Sequence, residues 1–214
     1  MPTALRQHLE RHFNEMGALA GGELETLAIE ADKHPPELAL RSRNGAERQQ
    51  ILKHPAYQRM EAYAYGQFGL AAMSHRGGVL DWSEPMPPVV KYALTYLFVQ
   101  AEFGLCCPLS MTDALTRTLR KFGDDALVNR YLEALTSQDM DLTYQGAMFM
   151  TEQDAGSDVG AITTEARQEE GKWRLYGDKW FCSNPDAALA MVLARPEQGS
   201  GALAALRCSC CPGI

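Results

Sequence analysis

The chain has 214 residues, 46% of them hydrophobic and 22% charged, a composition that suits one or two globular domains with a real core. No apolar run reaches the roughly 18 residues of a membrane span, and residues 1–10, which include Arg6, His8 and Glu10, lack the apolar stretch of a secretory signal, so a cytoplasmic protein with no membrane partner is expected. The net charge of −7, without a basic tail or stripe, argues against a nucleic-acid binder, which gathers Lys and Arg on one face to displace counterions.

The first two-thirds of the chain read as helices. In residues 4–16, Leu5, Leu9 and His12/Phe13 recur at spacings of three to four, an amphipathic helix that Gly21-Gly22 breaks. Residues 23–32 predict a second helix, ended by His34-Pro35-Pro36. Residues 41–46 read as a polar loop with Asn44-Gly45 as turn signal. Pro55 opens a helix at its first turn, with Tyr57, Met60, Tyr63, Ala64 and Phe68 on one face. The most apolar candidate is 89–103, where Tyr92, Tyr96, Val99 and Phe103 form a stripe expected to pack in the core. Residues 112–122 and 124–135 give two shorter helices split at Gly123, with Asp124 a cap for the second.

After Ser137 the period changes. Residues 146–151, 162–167, 172–176, 179–183 and 189–194 read as short strands, and Glu169-Glu170-Gly171 as a hairpin turn. Helices first and antiparallel strands after predict an α+β fold of two domains: 1–140, all-helical, and 141–214, a β-domain. Cys106 and Cys107 are expected to be buried reduced thiols. Cys208, Cys210 and Cys211 lack the paired spacing of a zinc site, and no His follows them, so no metal ligand is assigned.

Two segments carry chemistry. In Phe149-Met150-Thr151-Glu152-Gln153-Asp154-Ala155-Gly156-Ser157-Asp158, a strand enters a loop of small and hydrogen-bonding residues. Gly156 lets the backbone approach a ligand and can take positive φ, and Ser157 with neighbouring N–H groups can cradle a phosphate. Asp158 can fix the loop through local backbone bonds. The same residues also suit a plain strand-to-loop turn. In Gly177-Asp178-Lys179-Trp180-Phe181-Cys182-Ser183-Asn184, strand alternation places Trp180 and Cys182 on one face and Phe181 and Ser183 on the other. An aromatic beside a hydroxyl suits a flat heteroaromatic ring, and a sandwich-core strand with a buried Trp fits the pattern as well.

Together the two segments resemble the signatures of the acyl-CoA dehydrogenase superfamily, M-[ST]-E-x-x-[small]-G-S-D and G-x-K-x-[WF]-[aliphatic]-[ST]-N. Phe149 departs from the usual small residue before the first, and Cys182 from the aliphatic one in the second. His34-Pro35-Pro36-Glu37-Leu38, His54-Pro55-Ala56-Tyr57 and Leu105-Cys106-Cys107-Pro108-Leu109-Ser110-Met111-Thr112 resemble its AidB-like branch, named for the adaptive response to alkylation; the likeness runs from about residue 24 to about residue 200.

The resemblance implies FAD as cofactor and an acyl-CoA thioester as substrate, which loses an α-proton to a carboxylate base and a β-hydride to the flavin. It implies that Met148, Met150, Thr151, Gly156, Ser157, Phe181, Cys182 and Ser183 bind the cofactor. Met148, Met150 and Thr151 would lie against the isoalloxazine, with Thr151 bonding its pyrimidine edge. Ser157 would bond the diphosphate, Phe181 would stack on the ring, and Ser183 would bond near N5. Hydrogen bonds and dipoles at the ring edge would favour the reduced, anionic form. The β-domain is then expected to be an incomplete antiparallel barrel. The C-terminal helical bundle that carries the base in the family is expected to be missing, so no catalytic residue is assigned, and Glu152 and Asp154 are read as loop structure. The ending after Gly199, with its Cys-rich tail, is expected to reflect a frameshift or truncation, leaving the isolated chain inactive. Relatives imply a homo-oligomer. A flavin monooxygenase and a DNA-protective protein, its DNA surface in the missing regions, are the alternatives.

Overall fold

The computed structural model describes residues 1–197 and the backbone of 203–208. The chain packs as two units, Met1–Tyr144 and Gln145–Ile214.

The first unit begins with α1 (Thr3–Ala20), which buries Leu5, Leu9, His12 and Met16. Gly21-Gly22 ends it, and α2 (Glu23–Lys33) follows. Next come β1 (Glu37–Arg41) and β2 (Glu47–Leu52), an antiparallel hairpin with Glu37 opposite Leu52. This corrects the expectation of an all-helical N-terminal domain. The two strands are exposed along nearly their whole length, so neither carries a hydrophobic period to read. The polar stretch that reads as a loop is the hairpin's connection, with Gly45 at φ +85°.

Pro55 opens α3 (Pro55–Glu61), which continues as a π-helical segment, Ala62–Gln67. The wider turn lets Phe68 N–H reach the Tyr63 carbonyl at 3.0 Å, and Tyr65 is fully buried, 3.3 Å from Thr112 Oγ1. α4 (Pro88–Phe98), α5 (Cys106–Phe122) and α6 (Asp125–Leu135) complete the unit. Asp124 caps α6 as expected, accepting from Leu127 N–H at 2.8 Å.

The orientation of α4 corrects the sequence reading. Tyr92, Tyr96 and Phe103 are 63%, 68% and 77% exposed, and the buried face is Val90, Lys91, Leu94 and Phe98. Lys91 turns inward because Asp113 on α5 meets it there, at 2.7 Å. Cys106 and Cys107 are free thiols at the start of α5, half-buried and exposed respectively rather than in the core.

In the second unit, β3 (Gly146–Phe149), β4 (Glu165–Glu169), β5 (Lys172–Tyr176), β6 (Leu189–Pro196) and β7 (Leu203–Cys208) form one five-stranded sheet. It is mixed rather than antiparallel. β3 and β4 run parallel to β6, whereas β4–β5 and β6–β7 are antiparallel. Period-two alternation carries no information on strand direction, which the long chain between β3 and β6 decides. Ala147, Ala187, Ala190 and Val192 make a small core under Phe149 and Leu175. The β4–β5 turn has Glu170 at φ +50° and Gly171 at φ +75°, the signs of a type I′ turn that matches strand twist.

No strand spans 179–183. Gly177, Phe181 and Asn184 all have positive φ, so the segment winds irregularly from β5 to β6 and the face alternation expected there does not exist. Cys210 and Cys211 lie outside the described residues, as does the side chain of Cys208.

Candidate functional site

All eight residues expected at a cofactor fall in the second unit. Met148 is half-buried on β3, opposite Met191 of β6. After β3 the chain makes a tight turn in which Glu152 and Ala155 exchange backbone hydrogen bonds of 3.1 and 3.2 Å. Gly156 and Ser157 follow and are exposed. Gly156 is not at positive φ, and a Cβ there would meet nothing within 4 Å among the described residues, so neither backbone conformation nor local packing calls for glycine at this position. Asp158 fixes the following turn by accepting from Gly160 N–H at 3.0 Å.

The structure joins the two segments. Trp180 N–H donates to the Thr151 carbonyl at 2.9 Å. Lys179 Nζ reaches the Met150 carbonyl at 3.0 Å and Glu152 Oε1 at 2.8 Å. Asn184 Nδ2 donates to Gln145 Oε1 and to the Gly146 carbonyl, at 3.1 and 3.2 Å, tying the far end of the second segment to the start of β3. Lys179 and Asn184 are the residues to which sequence reasoning gave no role. Their presence in the second signature was the only signal.

Glu152 is the anchor of this arrangement. Its Oε2 accepts from Thr163 N–H and Oγ1 (2.6 and 2.8 Å), and its Oε1 from Thr164 N–H and Oγ1 (2.9 and 2.6 Å) as well as from Lys179. Burial alone would push the carboxyl up, but Lys179 and the Thr163 and Thr164 donors outweigh it and hold Glu152 well below the usual carboxylate range. It is an ionised structural hub whose two oxygens are engaged by Thr163, Thr164 and Lys179, in keeping with the loop role expected from the sequence.

Around this frame, apolar groups face solvent. Met150 is exposed and Phe181 is 80% exposed, its ring meeting Trp180 edge-on at 5.9 Å. Ser183 is exposed, and its N–H donates to the Phe181 carbonyl at 3.0 Å. Cys182 is half-buried; burial pushes its thiol up, against the opposing effect of Lys179, so it stays protonated at neutral pH. An exposed phenyl ring, hydroxyls and a polar turn fit a planar heteroaromatic ring with an anionic tail.

The first unit holds a second polar centre that sequence reasoning missed. Asp113 Oδ1 lies 2.9 Å from His75 Nε2, and Oδ2 lies 2.7 Å from Lys91 Nζ, all three residues being buried. Burial raises the Asp113 carboxyl, yet His75 and Lys91 bring it below its ordinary value. No local spacing could have announced a cluster drawn from positions 75, 91 and 113.

Residues 2–142 match the adaptive response protein AidB N-terminal domain, and residues 147–211 match the acyl-CoA dehydrogenase middle domain. The putative acyl-CoA dehydrogenase AidB of Escherichia coli is 32% identical over 197 residues, 86% of this chain and 34% of that protein. The structure of Caenorhabditis elegans ACDH-11 in complex with C11-CoA superposes with a TM-score of 0.78 at 25% identity, covering 95% of this chain and 35% of the other. The FAD complex of PigA, 22% identical, shares the fold with a TM-score of 0.68 over 100% of this chain and 50% of its own. The chain thus spans about a third of the length of the curated relatives it matches. With both family matches, end to end, covering the helical unit and the sheet that follows it, the chain belongs to the acyl-CoA dehydrogenase family, in its AidB-like branch.

Proposed function

We propose that this chain forms the N-terminal and flavin-facing part of an FAD-dependent oxidoreductase of acyl-CoA dehydrogenase type. The observation that carries the reading is the Trp180–Thr151 hydrogen bond, which ties the two signature segments into one unit while Phe181 is left largely in solvent. An exposed phenyl ring on a hydrogen-bonded frame gains by covering a flat ligand. The PigA structure holds FAD and the ACDH-11 structure holds an acyl-CoA, which supports this choice of cofactor and substrate class.

FAD, when bound, supplies the acceptor for a hydride from the acyl β-carbon. The chain's own residues bind and orient it. Phe181, Met148 and Met150 would pack against its ring. Thr151 would hydrogen-bond the pyrimidine edge and Ser183 would hydrogen-bond near N5. Ser157 and the N–H groups beside Gly156 would take the diphosphate. Cys182 would contribute packing. None of these residues removes the α-proton, and Glu152 is committed to the loop.

The test is flavin titration of the purified chain, followed by the quenching of FAD fluorescence and by bound absorbance after desalting. One FAD per chain is expected, and Ser157→Ala should weaken binding about tenfold, the loss of one hydrogen bond to a charged group. A folded chain that takes up no FAD would overturn the proposal. Unchanged binding in Ser157→Ala would remove that residue from the site.

A further inference from the structure

Away from the cofactor segments, three side chains of the first unit converge. Glu30 and His34 stand four apart on and just beyond α2, so the helix stacks them on one face. His54 caps α3. The hairpin β1–β2 lies between the two histidines, and its register, Glu37 opposite Leu52, returns the chain so that His34 and His54 meet at the hairpin's base. Their rings stack at 4.5 Å with planes 13° apart. One potential ligand atom from each of Glu30, His34 and His54 lies within 4.8 Å of the others.

The geometry of His34 suits a ligand. Its Nδ1 lies 3.0 Å from the Glu30 carbonyl oxygen, which can only accept, so Nδ1 donates there and Nε2 is the nitrogen left to face a ligand. An imidazole held by an Nδ1–H bond to a backbone carbonyl is the arrangement that orients metal-bound histidines. His54 Nδ1 accepts a long bond, 3.2 Å, from Ala56 N–H. Binding through either nitrogen of His54 gives up that one bond. Glu30 Oε1 sits 3.3 Å from His34 Nδ1, and the exposed Lys33 approaches Oε2 at 3.8 Å.

We propose that Glu30, His34 and His54 bind a divalent transition-metal ion, Zn2+ by the chemistry of the donors, as a clamp at the base of the β1–β2 hairpin. Two imidazoles and a carboxylate are a zinc-type set with the fourth position open to water. Harder ions such as Mg2+ and Ca2+ prefer all-oxygen shells. The ion joins the end of α2 to the start of α3 and closes the intervening hairpin, so it favours the folded state through binding that the unfolded chain cannot match.

The experiment uses the whole chain with Cys208→Ser, Cys210→Ser and Cys211→Ser, so that tail thiols do not compete for the ion. Dialysis against Zn2+ followed by metal analysis should leave one equivalent bound. Co2+ should give visible ligand-field bands without the near-ultraviolet charge transfer of thiolate ligands. His34→Ala should lower affinity by at least about tenfold. His54→Asn keeps a side-chain acceptor for the α3 cap while changing the ligand, and should do the same with an unchanged circular dichroism spectrum. A chain that retains no Zn2+, or retains it equally in His34→Ala and His54→Asn, would show that no such site exists.

Discussion

Lys91 Nζ lies 2.7 Å from Asp113 Oδ2, and each side chain is only 8% exposed. This pair, with His75 on the other carboxylate oxygen, sets which face of α4 points inward. Removing one partner leaves an uncompensated charge in the interior. Asp113→Asn should therefore cost about 3–5 kcal/mol, read from the urea midpoint, whereas replacing Lys91 and Asp113 together with Met and Leu should cost far less.

Asp113 and Glu152 both titrate below their ordinary values, 3.8 and 4.5. A group depressed in the folded state contributes stability that is fully present above its unfolded pKa and is lost as pH falls toward the folded one, because the unfolded chain then binds more protons. Stability should be flat above about pH 6 and fall below about pH 4.5. Urea titrations from pH 7 to pH 3 should show this. Glu152→Gln should lower stability at neutral pH and flatten the acid limb.

Gly177 has φ +146°, and a Cβ there would sit 2.6 Å from Thr164 Oγ1 and 2.7 Å from Thr164 Cα. Gly177→Ala meets both backbone strain and a clash with the residue that bonds Glu152. It should destabilise by about 2 kcal/mol or more. Conversely, Glu170 occupies a left-handed position of the β4–β5 turn, where Asn is favoured. Glu170→Asn should stabilise by about 0.5 kcal/mol. Thermal melts of the two variants should move in opposite directions.

Phe181 is so exposed that Phe181→Ala should leave the thermal midpoint of the ligand-free chain unchanged. It should still weaken FAD binding about fivefold, through lost stacking worth about 1 kcal/mol. Comparing melting curves with flavin titration separates the two effects.

The sequence made helices α1 to α6 and strands β3 to β6 legible, along with the α6 cap and the two signature segments, because each rests on local spacing. Its failures share a cause. The β1–β2 hairpin is polar on both faces, so no period marked it. The rotation of α4 was misjudged because Tyr92 and Tyr96 are more apolar than Lys91, and only the distant Asp113 reverses that preference. The segment around Phe181 resembled a strand by alternation, yet positive φ at Gly177, Phe181 and Asn184 is a property of the assembled sheet. Lys179 and Glu152, far apart in the chain, could be paired only once the structure placed them 2.8 Å apart.

β6 pairs with two strands that precede it by long stretches of chain, with Gly146 opposite Leu189 and Glu165 opposite Arg195. Everything proposed to touch the cofactor after β3 lies in the intervening stretch. During synthesis, Thr151 and Ser157 leave the ribosome well before the strand that locks them in place. Such distant pairing is slow to form. The hydrogen bond between Trp180 and Thr151 is therefore among the last local contacts that the growing chain can complete.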